Sequence, residues 1–151
     1  MVNKKMFWLG ILVNILVFGM TVIGCDDGSK NDIKTDSNLN GTWIGTQETG
    51  ESIFELKFNN GNFELFVDDT IFGKGTYTTN GNTITSTLSH LHGDFYGLES
   101  KWYKKEELVV LGYFLMEALD IVFSPRTYHY SVRSNILALT YESETKTLTK
   151  K

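Results

Sequence analysis

The sequence predicts a mainly β protein, an antiparallel up-and-down barrel of about eight strands with one helix inserted over about residues 104–120. Three observations carry this. Apolar and polar residues alternate through Phe54-Glu55-Leu56-Lys57-Phe58 and again through Phe63-Glu64-Leu65. Asn-Gly pairs interrupt the alternation at Asn60-Gly61 and Asn80-Gly81. Two distant stretches repeat one spacing of Tyr, Asn and an aliphatic residue: Tyr77, Asn82 and Ile84, then Tyr130, Asn135 and Leu137.

Leu39 opens the folded part. Period-two alternation broken by Asn60-Gly61 reads as a hairpin with one buried face. Asp68-Asp69 marks the next turn, and Thr70 to Thr79 is a further strand carrying Gly73 and Gly75. Glycine inside a strand marks a bulge or a sharp bend. Asn80-Gly81 then turns into a strand from Thr83 to Leu88. Beyond Lys101 the period changes. Leu108, Leu111, Leu115, Ala118 and Leu119 recur at helical spacing, which predicts a helix from about Lys104 to Asp120 that Pro125 closes. Arg126 to Val132 and Asn135 to Tyr141 form another hairpin, and a short strand runs from Lys146 to Lys150. The repeated Tyr-Asn-aliphatic spacing fits two similar hairpins in one closed sheet. Eight strands enclose an interior just wide enough for side chains or one small ligand.

The chain begins differently. Lys4 and Lys5 precede a run from Met6 to Ile23 that is apolar apart from Asn14 and Thr21. A basic start, an apolar core and a small residue before a cut are the marks of a secretory signal. Val22-Ile23-Gly24-Cys25 resembles the lipobox of bacterial lipoproteins. That resemblance implies cleavage before Cys25, diacylation of its sulfur and anchoring of the mature chain to a membrane of the cell envelope, with the domain outside the cytoplasm. The competing reading of the same run is an uncleaved helix, since ~20 apolar residues span a bilayer. The placement of the chain's one cysteine at the end of the run, followed at once by Asp26-Asp27-Gly28-Ser29, favours cleavage. Residues 26–38 bury too little apolar surface to offset the entropy of ordering and read as a tether. The expected organisation is a signal at 1–24, a lipidated cysteine and tether at 25–38, and a barrel domain at 39–151.

Charge and cysteine content exclude several function classes. The whole chain has a formal charge of −4, and loss of residues 1–24, with two lysines and no acid, takes it to −6. An acidic chain with no Lys/Arg cluster lacks the basic footprint that nucleic acid requires. With Cys25 committed to lipid, no thiol remains for a disulfide, thiolate chemistry or a Cys-rich metal site. His90-Leu91-His92 with Asp94 and the distant His129 does not make a four-ligand set, so no metal and no cofactor are expected. Ser86, Ser89 and Ser100 sit in no nucleophile elbow. Asp68-Asp69 and Glu106-Glu107 are adjacent pairs, which a strand would point to opposite faces. The chain reads as a binding or interaction protein and not as an enzyme.

Leu39-Asn40-Gly41-Thr42-Trp43 resembles the Gly-x-Trp opening of lipocalins. Taken with the two hairpins, Ser100-Lys101-Trp102-Tyr103 and Glu107-Leu108, the region 39–150 is similar to the lipocalin-like domains of small bacterial lipoproteins. The resemblance implies that Trp43 closes one end of the barrel beside a basic residue, Arg126 or Arg133, and that the interior takes a small apolar ligand. Phe54, Phe63, Tyr77, Trp102 and Tyr130, together with Trp43, are the aromatic residues expected at such a ligand site, and His92 to Tyr103 is expected at its rim. The helix precedes the last strands here, whereas in lipocalins it follows them. The alternative function is an envelope or surface interaction protein whose barrel is filled by its own side chains and holds no ligand.

Overall fold

The computed structural model describes residues 35–46, 52–112 and 116–151. The expected signal, Cys25 and most of the expected tether lie outside the described residues. A 3-10 turn at Ser37–Leu39 leads into β1 (Gly41–Thr46), β2 (Ile53–Asn59), β3 (Asn62–Val67), β4 (Thr70–Asn80) and β5 (Thr83–His92). Then come α1 (Gly93–Tyr96), β6 (Trp102–Tyr103), α2 (Lys105–Val110) and α3 (Met116–Phe123), followed by β7 (Arg126–Arg133), β8 (Ile136–Tyr141) and β9 (Glu144–Lys150).

Eight of these strands close an antiparallel barrel, as expected. Each of β1 to β5 pairs with the next, β5 pairs with β7, and β7, β8 and β9 continue the meander. The seam is β9 against β1, where Trp43 faces Lys150 and Ile44 faces Thr149. β5 is shared along its length: Thr83 to Ser86 pair with β7, while Leu91 and His92 pair with β6. The crossover carrying α2 and α3 sits at that division.

Turn chemistry sets the hairpins. Asn60 (φ 44°) and Gly61 (φ 87°) turn β2 into β3, and Asp68 (φ 49°) and Asp69 (φ 63°) turn β3 into β4. Consecutive positive φ values are those of the two-residue turn whose twist matches the sheet. The Asp68 carboxylate accepts from the Ser52 hydroxyl and from the Ile53 backbone N–H, both at 2.9 Å, so it ties down the start of β2. Its role in the fold is that of a turn anchor.

The glycines of β4 lie beside two slips in register. Leu65 faces Gly73 while Phe66 faces Ile71, so Phe72 is the extra residue of a bulge. Lys74 faces His90 while Gly75 faces Leu88, which makes Ser89 the extra residue in β5. A bulge shifts the inward phase by one residue. Phe72, Gly73, Gly75 and Tyr77 are all buried as a result.

The expected single helix over 104–120 is two helices. α2 ends at Leu111-Gly112, and Gly112 takes φ 64°, a left-handed conformation that ends helices. The Lys105 ammonium bonds the Asp120 carboxylate and holds α2 against α3. Leu108 and Leu119 are fully buried beneath them. Glu107 accepts from the Lys104 N–H at 2.8 Å, satisfying a donor that the first turn leaves open. Hence Glu107 of the adjacent acidic pair serves the helix start.

The core has two clusters. At the end bearing the β2–β3, β4–β5 and β7–β8 turns, Leu39, Trp43, Phe58, Tyr77, Ile84 and Leu137 pack together. At the opposite end Val67, Phe72, Leu91 and Tyr103 pack under Leu108 and Leu119 of the helices.

Candidate functional site: a cavity inside the barrel

A cavity of about 380 Å³ lies between the two clusters, inside the closed sheet. Its walls follow from strand alternation. Phe54, Leu56 and Phe58 of β2 face inward, as do Phe63 and Leu65 of β3. Ile84, Ser86 and Leu88 come from β5, Leu139 from β8 and Leu148 from β9. Phe72, turned inward by its bulge, and Val122 of α3 complete the apolar wall. Thr46, Ser124 and the β8–β9 turn at Glu142-Ser143 form the rim. The interior is therefore not filled by side chains. Gly45 of β1 lines it too, with the Leu148 side chain packed against its bare backbone.

Polar groups gather on one side. Ser86 and Arg126 are cross-strand partners on the inner face of β5 and β7, and both line the cavity. Next along β7, Tyr128 lines it too, with its ring 5.4 Å from that of Tyr141. Burial raises the Tyr128 pKa above the ordinary tyrosine range; the Arg126 charge opposes this and Tyr141 adds to it. The hydroxyl thus stays a neutral donor near pH 7. One terminal nitrogen of Arg126, Nη2, donates to the Ile121 carbonyl at 3.1 Å. Its Nε is buried and has no hydrogen-bond partner among the described residues. Lys146 also lines the cavity.

Of the six aromatic residues expected at a ligand site, Phe54 and Phe63 line the cavity and four do not. Trp43 is fully buried in the closed end, where its indole N–H donates to the Leu39 carbonyl at 2.7 Å. The basic group beside it is Lys150, 5.1 Å from the ring, and not Arg126 or Arg133. Arg126 starts β7 and so stands at the opposite end of the barrel. Tyr77 and Tyr130 lie at the closed end with their hydroxyls on the N-terminal segment: Tyr77 donates to Asn40 Oδ1 at 3.3 Å and Tyr130 to Asp36 Oδ2 at 2.9 Å. Trp102 packs against His92 (4.7 Å between rings) and under the Lys74 ammonium (4.1 Å), away from the cavity.

The segment from His92 to Tyr103 is not a rim loop. It holds α1 and β6, and none of it lines the cavity. His90 lies 6.4 Å from the Trp102 ring, and its pKa is lowered by burial and by the Lys74 and Lys104 charges, which favours the neutral imidazole. His92 Nδ1 and Asp94 Oδ2 are 3.4 Å apart. Among the described residues no cluster of three His, Cys, Asp or Glu could hold a metal ion.

Sequence reasoning did not single out Arg126, Tyr128 and Ser86 as a group. The signal available was a cation at an inward position of an alternating strand, Arg126-Thr127-Tyr128, and recognising it requires the register of β7 against β5.

No protein-family model matches this chain, and no curated protein does. A solved structure of an uncharacterized protein from Bacteroides eggerthii is similar in outline, with a TM-score of 0.46 and 18% sequence identity over 75% of this chain and 99% of that one. The barrel itself stands on the strand pairing given above.

Proposed function

We propose that this chain is a lipid-anchored, non-enzymatic envelope protein whose lipocalin-like barrel holds one small, largely apolar molecule. The observation that carries the reading is the cavity: about 380 Å³ enclosed by an eight-stranded sheet, with a mostly apolar wall that includes four phenylalanines and five leucines. Pockets for small molecules run from ~300 to ~1,000 Å³ and are mostly apolar with a few placed polar groups. Anchoring rests on the lipobox-like sequence ending at Cys25. A myristoyl-sized chain alone binds a membrane weakly, and two or more acyl chains anchor stably, since each buried methylene contributes ~0.8 kcal/mol.

Native mass spectrometry of residues 35–151 after incubation with envelope lipid extract tests the binding reading. The expected result is a stoichiometric small-molecule adduct that disappears when the cavity is filled by substitution. A folded barrel that takes up nothing from the extract would refute it and turn attention to surface contacts with other macromolecules. Starting at Thr35 keeps Asp36, which bonds Tyr130.

A further inference from the structure

We infer that molecules enter and leave the barrel sideways, through a slit between β1 and β9 that opens when Leu148 lifts off Gly45. This rests on the reading of the barrel as a binding module and gives the route to its interior. The β1–β9 seam is the shortest joint of the barrel. It pairs at two positions, Trp43 with Lys150 and Ile44 with Thr149, whereas β5 and β7, the next shortest, pair at four. Both strands run on past the seam, since β1 pairs with β2 as far as Thr46 and β9 pairs with β8 from Glu144 onward. Continuing the seam's register would set Gly45 opposite Leu148 and Thr46 opposite Thr147. In place of a ladder there, the Leu148 side chain lies on the bare Gly45 backbone. A β-carbon added to Gly45 would stand 3.2 Å from Leu148 Cγ and 3.4 Å from the Thr147 carbonyl oxygen.

The cavity reaches this slit. Leu148 is buried, so alternation turns Thr147 outward, and the inward Trp43 and Gly45 leave Thr46 outward in the same way. Both threonines are exposed, yet both line the cavity. Residues of the outer face border the interior only where the wall is parted. The parting is confined to this stretch. Toward the closed end, the Lys151 N–H donates to the Thr42 carbonyl at 2.9 Å, the Lys151 ammonium meets Glu55 at 3.2 Å, and the Lys150 ammonium sits over the Trp43 ring. On the other side, the Thr140 and Thr145 hydroxyls, 2.8 Å apart, keep β9 on β8. The tip of the β8–β9 hairpin therefore swings from β1 without breaking a paired ladder. Local opening is drawn from such regions, which have the fewest buried contacts to lose.

The test is stopped-flow uptake and release of N-phenyl-1-naphthylamine, an apolar dye that brightens out of water. The protein is residues 35–151, which hold the whole barrel, its N-terminal turn and both core clusters. In the double variant Thr46→His, Thr147→His, two imidazoles face each other across the slit and a zinc ion clips them together. The double variant Thr76→His, Thr87→His puts the same clip across β4 and β5 at a position already paired. Zinc at about ten times its dissociation constant should slow uptake and release by the slit variant about tenfold, because it binds only the closed slit. Both rates should fall equally, leaving the affinity the same with and without metal, and a chelator should restore them. The β4–β5 variant should keep its rates. Gly45→Ala, whose methyl crowds Leu148, tests the latch without metal and should speed both rates. Rates in the slit variant that ignore bound zinc, with binding read from a rise in melting temperature, overturn the slit, as does an equal slowing of the β4–β5 variant. Should zinc fail to bind, Gly45→Ala decides, and rates it leaves unchanged overturn the slit. Each of these results leaves the cavity reading standing with the rim as the entrance. Dye that stays dark with the native barrel, or brightens equally with Leu139→Trp, overturns the cavity reading and this inference with it.

Discussion

The Tyr130 hydroxyl donates a 2.9 Å hydrogen bond to Oδ2 of Asp36, a residue 94 positions earlier in the chain. The bond joins β7 to the 3-10 turn that plugs the closed end of the barrel. Tyr77 repeats the arrangement from β4 by donating to Asn40 on the other side of that turn. The two tyrosines occupy matching places in the two similar hairpins. The backbone follows suit: the Asn82 carbonyl accepts from the Tyr130 N–H, and the Asn135 carbonyl accepts from the Lys150 N–H.

Tyr130→Phe is expected to destabilise the barrel by about 1 kcal/mol, since Asp36 regains water when the bond is lost. In a double-mutant cycle with Asp36→Ala, followed by denaturant unfolding, the two changes should cost less together than the sum of each alone. Strict additivity would mean that the bond contributes nothing to stability.

Burial and the Asp36 carboxylate push the Tyr130 pKa from the ordinary 10.0 up to about 12. A raised tyrosine pKa means that the folded state keeps a proton the unfolded state releases. Stability from this group is therefore complete below pH 10 and is lost as the pH rises from about 10 through about 12. Tyr128, also raised by burial, acts in the same direction. Thermal melts across this window should show a decline that is shallower in Tyr130→Phe.

Gly75 lies where β4 and β5 slip in register. A methyl there would meet the Thr87 carbonyl oxygen inside contact distance and would lie 2.7 Å from Phe63 Cε1 and 2.9 Å from Leu88 Cα. Gly75→Ala should cost about 3 kcal/mol or more, because backbone on the neighbouring strand has to move. Gly81→Ala meets nothing within 4 Å, but Gly81 has φ 57°, so only the strain of a left-handed alanine applies, about 1 kcal/mol. Urea unfolding of the two variants should reproduce that order.

Leu139 lines the cavity from β8. Leu139→Trp puts a larger apolar group into empty space, so its stability should change by less than about 2 kcal/mol. Uptake of small molecules from lipid extract, read by native mass spectrometry, should fall sharply. Undiminished uptake by this variant would place the binding site elsewhere.

Cys25→Ala should abolish labelling by a fatty-acid probe in the producing cell and leave the precursor uncut, as the lipobox resemblance requires. Labelling that persists would mean that Cys25 is not the lipidated residue.

Much of the barrel is legible in the chain because its determinants are local. Phe54 to Phe58 alternate at the period of a strand, and Asn60-Gly61 supplies the positive φ values that a two-residue hairpin turn demands. Neither depends on a distant residue. The helical spacing after Lys104 is equally local, yet Gly112 splits the segment, and the leucine periodicity that runs through it conceals the break. The sequence alone could also show that Tyr77 and Tyr130 stand in equivalent hairpins. It could not show that both face Asn40 and Asp36, because closing β9 on β1 is what brings the N-terminal turn under them.

The cavity belongs to the tertiary structure for the same reason. Alternation divides residues into two faces, but whether the inward set fills the interior depends on barrel closure, on two bulges and on where α3 lands. Phe54 and Phe63 were recognisable as inward aromatics. Trp43, Tyr77 and Tyr130 are inward too and pack at the closed end instead of around the cavity, while Trp102 packs on the two histidines that precede it in β5. Arg126 is one cation among the chain's lysines and arginines when read in sequence. Its place opposite Ser86, with its Nε buried and without an acceptor among the described residues, sets it apart from the others. Local pattern determined the strands and the turns of this protein; long-range closure decided which of its side chains stand around empty space.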